Sequence, residues 1–389
     1  MISPAEATAT LVQKSPKLEP QTGVPIVMRI FGILLCLVLT IFSTANAEGE
    51  RVTQWLAADK NNDGVLTVDE TSGLMKKFFD RNDADKDGKL TKAELEALDK
   101  RLPQKKAQAG KQRTRPAPVL PSGVTVKKNQ VYREGHDRWK LDVYLPESDA
   151  PKGGRPGLVY VHGGGWKSGS KDGGQWASLP AGYAAKGYVC ISVNYRLTVD
   201  GGGFPACIHD VKNAVRWFRA HADELGLDPK RIGAYGNSAG AHLVSILGLV
   251  KKEADLEGDG THLDQSSLVQ AVCASATPSN FLSWKGEPFS NRGLLEGDPK
   301  TLADRATAAS PVTYVAKDAP PFLLIHAKDD RVVPFQQGKI LAEKLKAAGA
   351  ENVTLMSYES VGHGVFGAMQ KETHPGMEAF FAKALKSRE

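Results

Sequence analysis

From about Gly123 to the C-terminus, short apolar runs alternate with stretches whose apolar residues recur every three or four positions. In chain order, KLDVYLP, GLVYVHGG, YVCISVNYRL, RIGAYG, VQAVCASA, PFLLIHA and VTLMSYES predict strands. Several are apolar throughout, the pattern of strands covered on both faces; half-exposed strands would alternate. The clearest helix runs from about Ala206 to Leu225, with Ile208, Val211, Val215, Phe218, Ala222 and Leu225 forming one stripe that suits packing on a sheet. Such alternation predicts an α/β fold built on a doubly wound, mostly parallel sheet. Functional residues in sheets of this kind gather at the carboxyl ends of the strands.

Upstream the pattern changes. Residues 30–42, IFGILLCLVLTIF, form an apolar run behind Met28 and Arg29 and ahead of Ala45-Asn46-Ala47. The run falls short of the about 20 residues that span a bilayer. A positive residue, a short apolar core and small residues at a cleavage site make a signal-peptide pattern. The expectation is a leader over 1–47, with translation starting at Met28 and cleavage after Ala47. No stable membrane anchor is expected, and the mature chain is read as secreted or periplasmic. Residues 102–122, rich in Pro, Lys and Gln, read as a flexible linker. It joins an Asp-, Asn- and Lys-rich segment over 48–101 to the α/β segment over 123–389.

Composition adds exclusions. The 389 residues are 41% hydrophobic and 24% charged with a formal charge of +6, and both signs are mixed along most of the chain. A local exception, Arg101 to Leu120, holds six basic residues and no acid and reads as solvated linker. No nucleic-acid partner is expected on this pattern. Past the leader, Cys190, Cys207 and Cys273 are too few for a disulfide framework and are expected as buried free thiols.

Two twelve-residue stretches in the 48–101 segment match the EF-hand loop position by position. DKNNDGVLTVDE offers Asp59, Asn61 and Asp63, then Val65, Thr67 and Glu70; DADKDGKLTKAE offers Asp83, Asp85, Asp87, Lys89, Thr91 and Glu94. Calcium takes six to eight hard oxygens, so the loop needs clustered carboxylates, a backbone carbonyl at the seventh position (Val65, Lys89) and a glycine at the sixth (Gly64, Gly88). Leu66 and Leu90 at the eighth position are expected in a small core. Only twelve residues separate the loops, which predicts one shared helix over about Val68–Asn82. Dockerin modules pair calcium loops at similar spacing, but their loops tend to end in Asp and both of these end in Glu. The expectation is a compact, small all-α EF-hand pair that binds Ca2+, the second loop more tightly because it carries four carboxylates against three.

In the α/β segment, two features suggest chemistry. Gly236-Asn237-Ser238-Ala239-Gly240 fits G-x-S-x-G between a strand and a helix, and His162-Gly163-Gly164-Gly165-Trp166 follows the strand GLVYV about 75 residues earlier. A glycine run lets backbone come close to a substrate and aim N–H groups at it, as acyl transfer requires where charge builds on a carbonyl oxygen.

With HGGGW, SVNYRL and DPKRIGAYGNSAGAHL together, the chain from about Val124 onward resembles an α/β-hydrolase of the hormone-sensitive-lipase and feruloyl or acetylxylan esterase-like groups. The resemblance implies esterase chemistry with Ser238 as nucleophile and an oxyanion hole from the N–H groups of Gly164, Gly165 and Ala239. It also implies the chain order serine, acid, histidine. After PPFLLIHAKDDRVVP only His363 and His374 remain. His363, in the glycine-flanked loop SVGHGVFG, is the expected base, and His374, before Pro375, is expected to cap the last helix. The family pattern H-G-x-x-D appears as His326-Ala327-Lys328-Asp329-Asp330, so Asp330 is the expected acid, with Asp329 beside it as the competing candidate. Alanine at 327 departs from the pattern and puts the turn in question.

His162 is expected to lock the glycine loop, Asp210 to cap a helix or pair with a cation, and His242 to pack inside the elbow helix. Trp166, Trp176 and Trp284 could line a pocket or the core, and the insertion within 251–310 could cover the site. The function expected is hydrolysis of short acyl esters on small molecules or polysaccharide, acetyl and feruloyl groups among them, with no cofactor in the chemistry. Two rivals remain: a peptidase of the prolyl-oligopeptidase type and an inactive, calcium-dependent binding protein. No protein partner is identified.

Overall fold

The computed structural model describes residues 120–284 and 293–386, together with 61–71, 82–101 and the positions Val52, Leu56, Asp59 and Phe79. The leader, Met28, residues 102–119 of the linker, residues 285–292 of the insertion and most of the expected helix over 68–82 lie outside the described residues. Two compact units divide the chain at Thr114 and Arg115.

In the first unit, β1 (Val65–Thr67) pairs antiparallel with β2 (Lys89–Thr91), Leu66 opposite Leu90, and α1 (Lys92–Arg101) follows. Both leucines are fully buried, with Val52, Phe79 and Leu95 around them. An all-α unit was therefore too simple, because the acidic loops join through a short ladder. Residues 68–70 form a turn, with the Thr71 N–H donating to Val68 O, so no helix begins at Val68.

The second unit holds an eight-stranded sheet: β3 (Val124–Val131), β4 (Lys140–Pro146), β5 (Arg155–Val161), β6 (Val189–Val193), β7 (Leu227–Asn237), β8 (Ala271–Ser275), β9 (Phe322–Ala327) and β10 (Val353–Tyr358). Their spatial order is β10-β9-β8-β7-β5-β6-β4-β3. All pairings are parallel except β3–β4 and β4–β6. Strands β6, β8 and β9 are buried at every residue, which accounts for their unbroken apolar runs. Strand β3 was not expected: at the sheet edge it carries the polar run Lys127, Lys128, Asn129 and Gln130 with a bulge within it, the polar device that keeps an edge from pairing with another chain.

Helices α2 (Gln175–Ala184), α3 (Ala206–Ala220), α4 (Ala239–Leu249), α5 (Leu302–Ala309), α6 (Phe335–Ala347) and α7 (Gln370–Ala384) complete the unit. The stripe expected to reach Leu225 breaks at His221, which caps α3 before a separate turn, Ala222–Leu225. The three described cysteines are free and buried. Among the described residues no helix is long and apolar enough to cross a membrane.

Candidate active site

Strand β7 ends in a turn whose apex is Ser238, at φ 55° and ψ −120°. A non-glycine residue there stores strain of about 1–3 kcal/mol, and the surroundings hold it in place. The Ser238 N–H donates to Ser275 O at the end of β8 (2.9 Å) and helix α4 starts at Ala239 with no side-chain cap. Both glycines of the motif are sterically required. A Cβ on Gly236 would sit 2.3 Å from Gly240 C, and one on Gly240 would sit 2.0 Å from Val161 O. Nothing larger fits between the elbow and β5.

The glycine loop leaves the neighbouring end of β5. A Cβ on Gly163 would lie 2.7 Å from Asn237 O and 3.4 Å from Ser238 Cβ, so the bare backbone is what brings this loop against the serine. Gly164 and Gly165 have φ of 118° and 60°, and among the described residues their N–H groups find no acceptor. His162 is fully buried, stacked on Tyr195 at 4.4 Å, with Nδ1 2.8 Å from Gly163 O. Burial pushes its pKa down to about 4. It is a neutral strut for the loop, as expected, and not a proton carrier.

Asp330 and His363 follow β9 and β10, at the same carboxyl-end side of the parallel strands as Ser238. His363 Nδ1 lies 2.8 Å from Asp330 Oδ2, and Asp330 Oδ1 accepts from the N–H groups of Val332 and Val333 (2.8 and 2.9 Å). Burial alone would raise this carboxyl. The hydrogen bonds from His326, His363 and Val333 outweigh it and hold the group well below the usual carboxylate range, so it stays ionised facing the imidazole. Alanine at 327 is buried as the last residue of β9 and is not among the positive-φ positions, so glycine is not needed there.

Asp329 has a separate job that the sequence reading missed. Its Oδ1 accepts from the N–H groups of Val361 and Gly362 (3.0 and 2.9 Å), the two residues before His363. One acid holds the ring and its neighbour holds the backbone that carries it.

The other residues singled out are structural. Asp210, fully buried, accepts from Trp139 Nε1 and pairs with the partly exposed Arg196 (2.8 Å); Pro205, not Asp210, is the N-cap of α3. His242 is buried in α4 between Trp166 and Ala309 O, its pKa driven by burial to about 4. His374 does not cap the last helix: α7 begins at Gln370, and the His374 ring stacks on Phe366 at 4.8 Å. Trp166 belongs to one core cluster with Trp284 half-buried against it, and Trp176 is half-buried against a second cluster.

The two acidic loops of the first unit are near copies. In each, the carboxylate at the first position (Asp59, Asp83) accepts from the glycine N–H at the sixth, 2.8 and 2.9 Å. The fifth-position acid (Asp63, Asp87) accepts from the seventh N–H, of Val65 and Lys89. The closing glutamate (Glu70, Glu94) takes both the N–H and the hydroxyl of Thr67 or Thr91. Position four is left-handed in both, at Asn62 and Lys86. Asp83, Asp85 and Asp87 bring carboxylate oxygens within 4.8 Å of one another. Asn61 donates to Asp63 within the first loop (3.0 Å).

A family profile described as BD-FAE matches residues 141–345. Among curated proteins, Esterase LipC of Mycobacterium tuberculosis is 32% identical over 261 residues, covering 64% of this chain and 63% of LipC. The chain thus spans a little under two thirds of that relative's length. A solved structure described as a truncated form of carbohydrate esterase from gut microbiota aligns at 28% identity and a TM-score of 0.58, over 68% of this chain and 97% of that one. The thermophilic esterase Est2 of Thermogutta terrifontis aligns at 29% identity and a TM-score of 0.56, over 67% and 92%.

Proposed function

The chain belongs to the BD-FAE family and its second unit has the α/β-hydrolase fold, and on that footing we propose that it is an exported serine carboxylesterase carrying a calcium-binding accessory module. The observation that carries the catalytic half is the strained Ser238 turn at the same carboxyl-end side of the parallel strands as the His363–Asp330 pair. Ser238 Oγ attacks the ester carbonyl while its proton passes to His363 Nε2. The C–O bond to the alcohol then breaks and the alcohol leaves with that proton. Water repeats the cycle on the acyl-enzyme, its proton taken by His363 and returned to Ser238. Charge on the carbonyl oxygen is met by the N–H groups of Gly164, Gly165 and Ala239. Chain and water supply every group in this scheme.

Short acyl esters are the proposed substrates, carbohydrate-linked acetyl or feruloyl esters among them; the likeness to a carbohydrate esterase supports that choice. A p-nitrophenyl ester series from acetate to decanoate, run beside acetylated xylan and methyl ferulate, tests it. A stoichiometric burst with turnover falling as the acyl chain lengthens is expected. No turnover of any ester would overturn the esterase reading.

The proposed organisation is a leader over 1–47, an EF-hand pair over 48–101, a linker over 102–122 and the catalytic segment to the C-terminus, delivered outside the cytoplasm. The oxygen-only donor sets at Asp59, Asn61, Asp63, Val65, Thr67 and Glu70 and at Asp83, Asp85, Asp87, Lys89, Thr91 and Glu94 suit a hard cation of calcium's size. Titration calorimetry of the mature chain is expected to show two sites, Glu94→Gln abolishing the tighter and Glu70→Gln the weaker. No heat at millimolar Ca2+ would refute the module's role.

A further inference from the structure

Arg138 lies in the turn between β3 and β4, 24 residues upstream of the glycine loop, and takes no part in the scheme above. Its half-buried guanidinium nevertheless reaches both ends of that loop. Nη2 donates to Gly169 O at 2.9 Å and lies 3.2 Å from His162 Nε2, while Nε donates to Tyr195 O at 2.7 Å. Tyr195 in turn stacks on His162, and its hydroxyl donates to His162 O (3.0 Å).

A guanidinium has donors and no acceptor. His162 Nε2 must therefore accept from Arg138, which leaves the imidazole proton on Nδ1. Nδ1 then donates to Gly163 O, 2.8 Å away. The peptide unit is planar and trans, so its carbonyl and the following N–H point in opposite directions. Fixing Gly163 O thus fixes the direction of the Gly164 N–H. Without that anchor little else would hold the unit, because glycines on both sides tolerate either orientation, and Gly164 sits at φ 118°. Gly169 closes the arrangement: a Cβ there would lie 2.5 Å from Gly163 O and 2.6 Å from His162 Nδ1.

We propose that Arg138 is a positioning residue for the oxyanion hole: by setting the His162 tautomer it locks the Gly163–Gly164 peptide in the orientation that turns the Gly164 N–H toward the reacting carbonyl. Its effect is confined to the transition state, where that donor is used. The assignment rests on the esterase reading, and the test separates the two.

Arg138→Met removes the donors and keeps most of the side-chain volume. Burst titration with p-nitrophenyl acetate counts competent sites, and steady-state rates are expressed per titrated site. The expected result is a roughly 10- to 100-fold lower kcat per site, the scale of one lost oxyanion donor or somewhat less, with KM within about twofold and partial recovery on adding guanidinium chloride at tens of millimolar. A purely structural role would instead shrink the burst and leave kcat per site unchanged, and that outcome overturns the proposal. Should Arg138→Met fail to fold, Arg138→Lys replaces it. One ammonium cannot span the three acceptors, so a smaller drop in kcat per site is expected, and wild-type kcat would overturn the assignment. Absence of any ester turnover by the unsubstituted chain overturns the esterase reading and this assignment with it.

Discussion

Ser238→Ala is expected to lower ester turnover by roughly 10⁵- to 10⁶-fold, the scale seen when a serine nucleophile is removed from an intact site. The residual rate should still exceed that in water, because the backbone donors remain. Stability gives an independent reading of the same residue. Ser238 occupies φ 55° and ψ −120°, a conformation glycine adopts freely and alanine does not. Ser238→Gly is therefore expected to shift the urea midpoint upward by the equivalent of about 1–2 kcal/mol, with Ser238→Ala close to wild type. Loss of activity with a gain in stability is the mark of strain kept for function. Retained turnover in both variants would point to a different nucleophile.

Strands β6, β8 and β9 were legible because burial on both faces leaves a plain record, an unbroken apolar run such as VCISV or FLLIHA. The elbow was legible for a related reason. Gly236 and Gly240 answer to clashes of 2.3 and 2.0 Å, so the motif records a steric demand that no other residue meets. What escaped notice depends on contacts between segments far apart in sequence. Strand β3 carries four consecutive polar residues because it lies at an edge, and only its partner β4 reveals it. Asp329 and Asp330 compete for one role in the sequence, since adjacent acids look alike in one dimension. Its link to Val361 and Gly362, more than 30 residues on, exists only once β9 and β10 pair in parallel. The misjudged cap at His374 has a local cause: Pro375 sits inside α7, past its first turn, whereas proline ordinarily marks a helix's first turn, so here it did not mark the helix start.

The division of labour between the two acids makes the other large prediction. Asp330→Asn is expected to reduce kcat about 10⁴-fold with little change in fold. The new side chain keeps Oδ1 for the Val332 and Val333 N–H groups, so the turn survives. In place of Oδ2, however, it sets an NH₂ against His363 Nδ1, 2.8 Å away. Two donors cannot face each other, so the ring is driven to the tautomer with its proton on Nε2. That nitrogen then has no lone pair to take the proton of Ser238. Asp329→Asn keeps an oxygen acceptor for Val361 and Gly362 and is expected to stay near wild type. Asp329→Ala loses both bonds and frees the loop, with an expected roughly 10-fold drop in kcat, since misplacing a catalytic group by even 1 Å can cost about 100-fold. Steady-state kinetics on the three variants, with circular dichroism to check folding, decide the matter. A large loss in Asp329→Asn with Asp330→Asn near wild type would reverse the assignment and make Asp329 the acid partner of His363.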